Sequence, residues 1–233
     1  MNIKIFADGS NINEMLDLYK NNKLVAGFTT NPSLMKKAGV TNYESFITEV
    51  VKQIPDLPIS FEVFADNYSG MYAQAKKIAS FGNNIYVKIP IVNTKGEYTT
   101  DVIQTLVDQN VKVNVTAVFT AKQLDALADI LPRMETPDTI VSIFAGRIAD
   151  TGNNPEPWIS YGLMRLEEQA QILWASTREV YNIYEADRLG CDIITVTPDQ
   201  IKKLSLQDKD LQQYSIETVQ MFYDDAKSSG LKL

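Results

Sequence analysis

The chain has 233 residues, a formal net charge of -7 and no histidine; the length suits one domain with a sizeable core, and the acidity argues against a nucleic-acid binder, which would carry a basic stripe. Without imidazole, Ser-His-Asp hydrolysis, His-dependent proton shuttles and most zinc or non-haem iron sites are excluded, leaving carboxylates, lysine, hydroxyls, amides and arginine. The first residues lack the basic flank and long apolar run of a signal peptide, and nowhere do about 18 apolar residues run together, so a cytoplasmic protein without a membrane segment is expected.

Eight apolar runs read as strands in chain order. The first, 3–7, precedes the turn Asp8-Gly9-Ser10, and Asn11 with Glu14 then signals a helix start. A second, 25–28, leads to Asn31-Pro32, with Thr41 and Glu44 opening another helix. Runs at 59–64, 85–91 and 111–119 follow, the last closed by Thr120 with Gln123. The remaining three are 139–144, 170–175 and 193–196, where Ser176 with Glu179 and Thr197-Pro198 signal helices. Strand then helix, repeated, predicts a parallel sheet, and near-continuous hydrophobic strands predict that both faces are covered. Eight repeats favour closure into a (β/α)8 TIM barrel over an open sheet. No glycine fingerprint of a dinucleotide or P-loop site follows any strand. Residues 210–228 read as an appended helix with Ile216, Val219, Phe222, Tyr223 and Ala226 on one stripe, expected to cap the barrel or pack on another subunit. All of 1–233 is thus read as one barrel domain carrying that helix.

Strand residues alternate in direction, so a polar group inside an apolar strand marks a barrel interior or a site. Lys88 is the sharpest case, within Ile85-Tyr86-Val87-Lys88-Ile89-Pro90-Ile91. Desolvation disfavours an ammonium and frees a neutral amine that can add to a ketone. Pairing with a buried carboxylate, or snorkelling from the strand end to water, is the competing reading, and strand context alone does not separate them. Asp8 ends the first strand, Asn31 follows the second, Glu62 lies in the third, and Asn114 and Thr116 share a face of the fifth. Singly, each has a plain structural account as a turn residue, an ion-pair partner or a strand former. Their convergence on one rim is the argument, because barrel enzymes place catalytic groups at the C-terminal ends of strands.

Arg147 and Arg178 follow the sixth and seventh strands, and Ser176 reads as an N-cap beside Arg178. A helix N-terminus with an arginine makes an anion site, which an acidic protein needs if its substrate is phosphorylated. The single cysteine, Cys191, excludes an intrachain disulfide and reads as a buried thiol.

These residues are the ones that resemble the transaldolase family. Gly27-Phe28-Thr29-Thr30-Asn31-Pro32-Ser33 is similar to that family's first signature, and Val87-Lys88-Ile89-Pro90 resembles the segment bearing its Schiff-base lysine. Asp8, Asn114-x-Thr116, Ser142 through Gly146-Arg147 and Ser176-x-Arg178 extend the likeness in order along the chain. The resemblance implies a barrel working without cofactor or metal. Lys88 would attack the C2 carbonyl of a ketose phosphate, Asp8 would take the C4 hydroxyl proton, and Glu62 and Thr116 would hold a proton-relaying water. Asn31 and Asn114 would bind the dihydroxyacetone moiety with Ser142 nearby, while Arg147, Ser176 and Arg178 would bind the phosphate.

Ile143 and Ala145 depart from the proline and valine frequent in the family, and could alter the loop beside the phosphate site. The chain also resembles the short members, which include fructose 6-phosphate aldolases and tend to form large homo-oligomeric rings. In those aldolases the Glu62 position is typically glutamine and the Asn114 position typically not asparagine, so this sequence carries both transaldolase choices. The resemblance therefore implies dihydroxyacetone transfer from sedoheptulose 7-phosphate to glyceraldehyde 3-phosphate. An aldolase releasing free dihydroxyacetone and a non-catalytic sugar-phosphate-binding barrel are the alternatives; small sugar phosphates are the expected partners in all three.

Overall fold

The computed structural model describes residues 1–230. Its eight strands are β1 (Lys4–Asp8), β2 (Val25–Thr29), β3 (Ile59–Glu62), β4 (Ile85–Pro90), β5 (Val113–Val118), β6 (Thr139–Ile143), β7 (Gln171–Trp174) and β8 (Ile193–Val196). Each pairs in parallel with its neighbours and β8 returns to β1, so the sheet is a closed barrel, as the strand-helix rhythm predicts. Between strands run α1 (Ile12–Asn21), α2 (Pro32–Lys37), α3 (Tyr43–Gln53), α4 (Tyr68–Ala79), α5 (Thr100–Asp108), α6 (Ala121–Ala128), α7 (Ala145–Asp150), α8 (Glu156–Arg165) and α9 (Tyr181–Leu189). After β8 come α10 (Pro198–Lys203), a short 3₁₀ turn (Leu204–Leu206) and α11 (Leu211–Ser228).

Local chemistry explains most of these boundaries. Asn11 accepts the Glu14 N–H at the start of α1, and Thr120 with Gln123 forms a reciprocal capping box on α6. At α3 the cap falls one residue later than expected: Asn42, not Thr41, accepts the Ser45 N–H. Ser176 is the larger correction. Its φ is 65°, left-handed rather than the extended geometry of a cap, and α9 begins only at Tyr181.

The chain forms two compact units, Met1–Ile201 and Lys202 onward. In the first, helices bury stripes such as Val102, Ile103 and Leu106 of α5, each large side chain contributing roughly 1.5–3 kcal/mol. Inside the barrel, Phe6, Tyr86, Ile140, Leu173, Ala175 and Ile193 form one cluster. Two residues further along β1, β4, β6 and β8, the same inward row carries Asp8, Lys88, Ser142 and Thr195. The interior is therefore apolar toward the N-terminal ends of the strands and polar toward the C-terminal ends, and that change of character positions the site. In the second unit, α11 buries none of its residues and exposes Leu211, Ile216, Val219, Met221, Phe222 and Tyr223. No described helix is long and apolar enough to cross a membrane.

Candidate active site

Lys88 sits fourth in β4 and is 6% exposed. Its register partners are Glu62 on β3 and Asn114 on β5, which brings three of the expected residues side by side. The Lys88 Nζ donates to the Thr30 carbonyl at 2.9 Å and lies 3.4 Å from Glu62 Oε2. Ion pair and candidate nucleophile thus coexist: the carboxylate that holds the ammonium also stands where a proton acceptor would. Burial alone would make an unpaired ammonium costly, and the carbonyl and carboxylate together offset that cost.

Asp8 ends β1, directly opposite Thr29 in the ladder, and its Oδ1 accepts the Thr29 hydroxyl at 2.8 Å. Thr29 and Thr195 also share a hydrogen bond through their hydroxyls. Burial raises the Asp8 pKa above the ordinary carboxylate value, and the Glu62 charge adds to the rise; Lys88 and the Thr29 hydroxyl act against it. A carboxylate with raised proton affinity is better matched to taking a proton from a hydroxyl.

Asn114 is fully buried and ties three strands together. Its Nδ2 donates to Ser60 Oγ at 3.0 Å and its Oδ1 accepts the Ser142 hydroxyl at 2.7 Å. Thr116, two residues on, has a buried hydroxyl with no hydrogen-bond partner among the described residues, the kind of group that a bound water or ligand satisfies. Immediately after it the strand bulges between Val115 and Val118, with Ala117 at φ 58°. Asn31 caps α2 by accepting the Leu34 N–H at 3.0 Å, which leaves its amide nitrogen able to donate. It directly follows Thr30, whose carbonyl holds Lys88.

Of the expected phosphate residues, Arg147 stands in α7, just after β6, and Ser176 and Arg178 stand in the loop after β7. A Cβ on Gly146 would lie 1.6 Å from the Ser176 carbonyl oxygen, so only glycine permits this close approach of α7 and the loop after β7. Arg147 is exposed, its guanidinium 6.0 Å from the Phe144 ring centroid. Arg178 is engaged from both Nε and Nη2 by the Asp150 carboxylate of α7, which holds the Asp150 pKa down. Ser176 and Arg178 remain neighbours, but without a helix N-terminus at Ser176. Cys191 lies elsewhere, buried, its thiol pushed up to about 12 mainly by burial.

Sequence reasoning missed Ser60 and Thr195, which are polar residues within apolar runs and so were legible by the rule that found Lys88, and Thr29, which stands one residue past the run 25–28 and is the last residue of β2. The Thr30 carbonyl left no such signal, since any residue type would supply it.

A closed eight-stranded parallel barrel with a buried lysine and two carboxylates at its mouth defines a class of protein, and the comparisons make the class specific. Residues 5–233 match the family described as Transaldolase/Fructose-6-phosphate aldolase. A probable transaldolase from Ruegeria sp. (strain TM1040) is 34% identical, covering 99% of this chain and 100% of the relative. Another, from Methanococcus maripaludis (strain C5 / ATCC BAA-1333), is 32% identical over 87% of this chain and 89% of the relative. The chain belongs to the transaldolase/fructose-6-phosphate aldolase family.

Among solved structures, a putative dihydrodipicolinate synthase family protein from Coccidioides immitis is similar with a TM-score of 0.57 at 13% identity, covering 83% of this chain and 66% of that one. KGPDC from Streptococcus mutans is similar with a TM-score of 0.54 at 11% identity, covering 84% of this chain and 87% of that one. At such identities the likeness is one of barrel fold.

Proposed function

We propose that this enzyme is a transaldolase of the pentose phosphate pathway, moving a dihydroxyacetone unit from sedoheptulose 7-phosphate to glyceraldehyde 3-phosphate in the cytoplasm. The observation that carries the reading is the Lys88 amine, buried at the barrel mouth between the Thr30 carbonyl and the Glu62 carboxylate. The neutral amine attacks the C2 carbonyl and water leaves, giving a protonated imine. Asp8 takes the C4 hydroxyl proton while the C3–C4 electrons pass to the imine, releasing erythrose 4-phosphate and leaving an enamine. The enamine adds to the glyceraldehyde 3-phosphate carbonyl, protonated Asp8 returns its proton to the new alkoxide, and hydrolysis of the imine frees fructose 6-phosphate and the Lys88 amine. No cofactor or metal enters these steps.

Glu62 and the unpartnered Thr116 hydroxyl hold the water that relays protons during imine formation and hydrolysis. Asn31, Asn114 and Ser142 bind the dihydroxyacetone hydroxyls. Arg147, Ser176 and Arg178 take the phosphate, whose binding orients the reacting carbons. The unburied apolar stripe of α11 supports a homo-oligomer, checked by light scattering on the eluting species.

Fructose 6-phosphate aldolase is the neighbouring reading within the family description, and Glu62 with Asn114 favours transfer over release. Borohydride reduction with fructose 6-phosphate, then peptide mapping, should place a reduced adduct on Lys88; an unmodified Lys88 sinks the mechanism. Cleavage of fructose 6-phosphate should be slow alone and fast with erythrose 4-phosphate as acceptor. Equal rates would assign the aldolase instead.

A further inference from the structure

The end of β3 is held by a residue outside the proposed catalytic set. Along the β2–β3 ladder, Phe28 N–H donates to the Pro58 carbonyl at 2.9 Å and Thr30 N–H to the Ser60 carbonyl at 3.1 Å. The next rung in that register would run from residue 32 to the carbonyl of Glu62. But β2 ends at Thr29, and residue 32 is Pro32, the first residue of α2 and without an N–H, so no donor from β2 reaches that carbonyl. The Tyr43 hydroxyl, from the first turn of α3, donates to the Glu62 carbonyl at 2.9 Å in its place. Without it that carbonyl would stand as an orphan acceptor at the strand end, one peptide from the carboxylate that meets Lys88.

The rest of Tyr43 is fixed as well. Its ring packs 4.7 Å from that of Phe64 and edge-on to Phe61, centroids 6.3 Å apart. Burial raises the phenol pKa well above its ordinary range, so the hydroxyl remains a donor at any working pH. On the far side of Glu62, Val63 N–H donates to the Lys88 carbonyl at 3.1 Å, and Gln74 Oε1 accepts the Phe64 and Ala65 N–H groups at 2.7 and 2.9 Å. The Glu62 peptide is thus anchored toward β4 by the ladder and toward β2 by Tyr43 alone among the described hydrogen bonds.

We infer that Tyr43 is a positioning residue for the Lys88–Glu62 pair, its hydroxyl supplying the donor that β2, ending at Thr29, does not bring to the Glu62 carbonyl, and so fixing where the Glu62 carboxylate stands relative to the amine. The inference rests on the imine-forming reading of Lys88. It assigns Tyr43 no contact with substrate, so its loss should slow imine formation without weakening substrate binding.

The test is the rate of borohydride trapping at saturating fructose 6-phosphate, compared between the unaltered enzyme, Tyr43→Phe and Phe64→Leu. Tyr43→Phe keeps the ring and removes the hydroxyl; it should trap Lys88 about tenfold more slowly, with KM changed by less than about twofold. Phe64→Leu removes the neighbouring ring and keeps the hydroxyl, and should trap at the unaltered rate. An adduct forming as fast in Tyr43→Phe as in the unaltered enzyme, or an equal slowing in both variants, overturns the role given to the hydroxyl. If the unaltered enzyme forms no adduct at all, the imine reading fails first and the inference falls with it.

Discussion

The two halves of the proposed substrate path are built from different material. The carbon-chemistry half, Asp8, Glu62, Lys88, Asn114 and Thr116, stands on β1, β3, β4 and β5, locked by ladder register and largely buried. The phosphate half, Arg147, Ser176 and Arg178, stands on α7 and the loop after β7, with both arginines exposed and Arg178 already bound to Asp150. Strands hold angles and keep bulk solvent out, which positioned proton transfers need; an exposed helix and loop can meet a dianion arriving from solvent without the cost of desolvating a buried cation. The first half should set kcat and the second should set KM, and substitutions in each test that division.

The largest effect is expected at Lys88. Lys88→Met removes the only nucleophile of the proposed scheme and should lower kcat on the order of 10⁵-fold, judged by comparison with removal of a nucleophile in other covalent enzymes. Residual transfer within tenfold of the unaltered enzyme would mean that another amine forms the imine.

Asp8→Asn comes next, with kcat down about 10²- to 10⁴-fold as for loss of a general base. It should also change stability in a direction fixed by burial. The folded protein raises the Asp8 pKa above its unfolded value, so the stability it contributes is present at low pH and lost as pH rises through the folded pKa. The substituted amide does not titrate. Urea melts should therefore find Asp8→Asn gaining on the unaltered enzyme from acid to neutral pH, with the gain complete above the folded pKa. An advantage that shrinks over that interval would show that the carboxylate is not desolvated in the fold.

One rule, polar residues within apolar strands, made the carbon-chemistry half legible in the sequence: Lys88, Glu62, Asn114 and Thr116 interrupt runs that alternation then turns inward. Threonine blurred the rule at Thr29 and Thr195, because a β-branched residue suits a strand without any site to explain it. Ser176 shows where local signals fail. Ser-x-x-Glu is a valid start pattern, but the tight packing of its carbonyl against Gly146 comes with a left-handed backbone, and the helix starts later. Nor does sequence announce that Asp150 and Arg178, 28 positions apart, share a bidentate pair. The caps at Asn11 and Thr120 and the closure of the barrel were readable because short-range hydrogen bonding and periodicity decide them.

In the phosphate half the expected effects are smaller and fall on KM. Arg178→Ala removes a charge-assisted contact worth about 1.5–3 kcal/mol, so KM for phosphorylated substrates should rise roughly 10- to 150-fold with kcat nearly unchanged. A fall in kcat with KM held would move Arg178 into the chemistry.

Asp150→Asn gives the smallest effect and the sharpest reading. The Asp150 carboxylate holds Arg178 through Nε and Nη2, leaving three of its five N–H donors for a phosphate. It also sets a negative charge beside the proposed phosphate site. The pair is about half exposed on both sides, at 46% and 52%, where such interactions are worth at most about 1 kcal/mol. Replacing the carboxylate by an amide keeps a hydrogen-bond acceptor for the guanidinium and removes the repulsion. KM should therefore fall by about two- to fivefold, and the difference should narrow at high ionic strength, where exposed charges are screened. A KM that rises instead would mean that Asp150 matters more for aiming Arg178 than for repelling the phosphate, and that the exposed half of the path is preorganised after all.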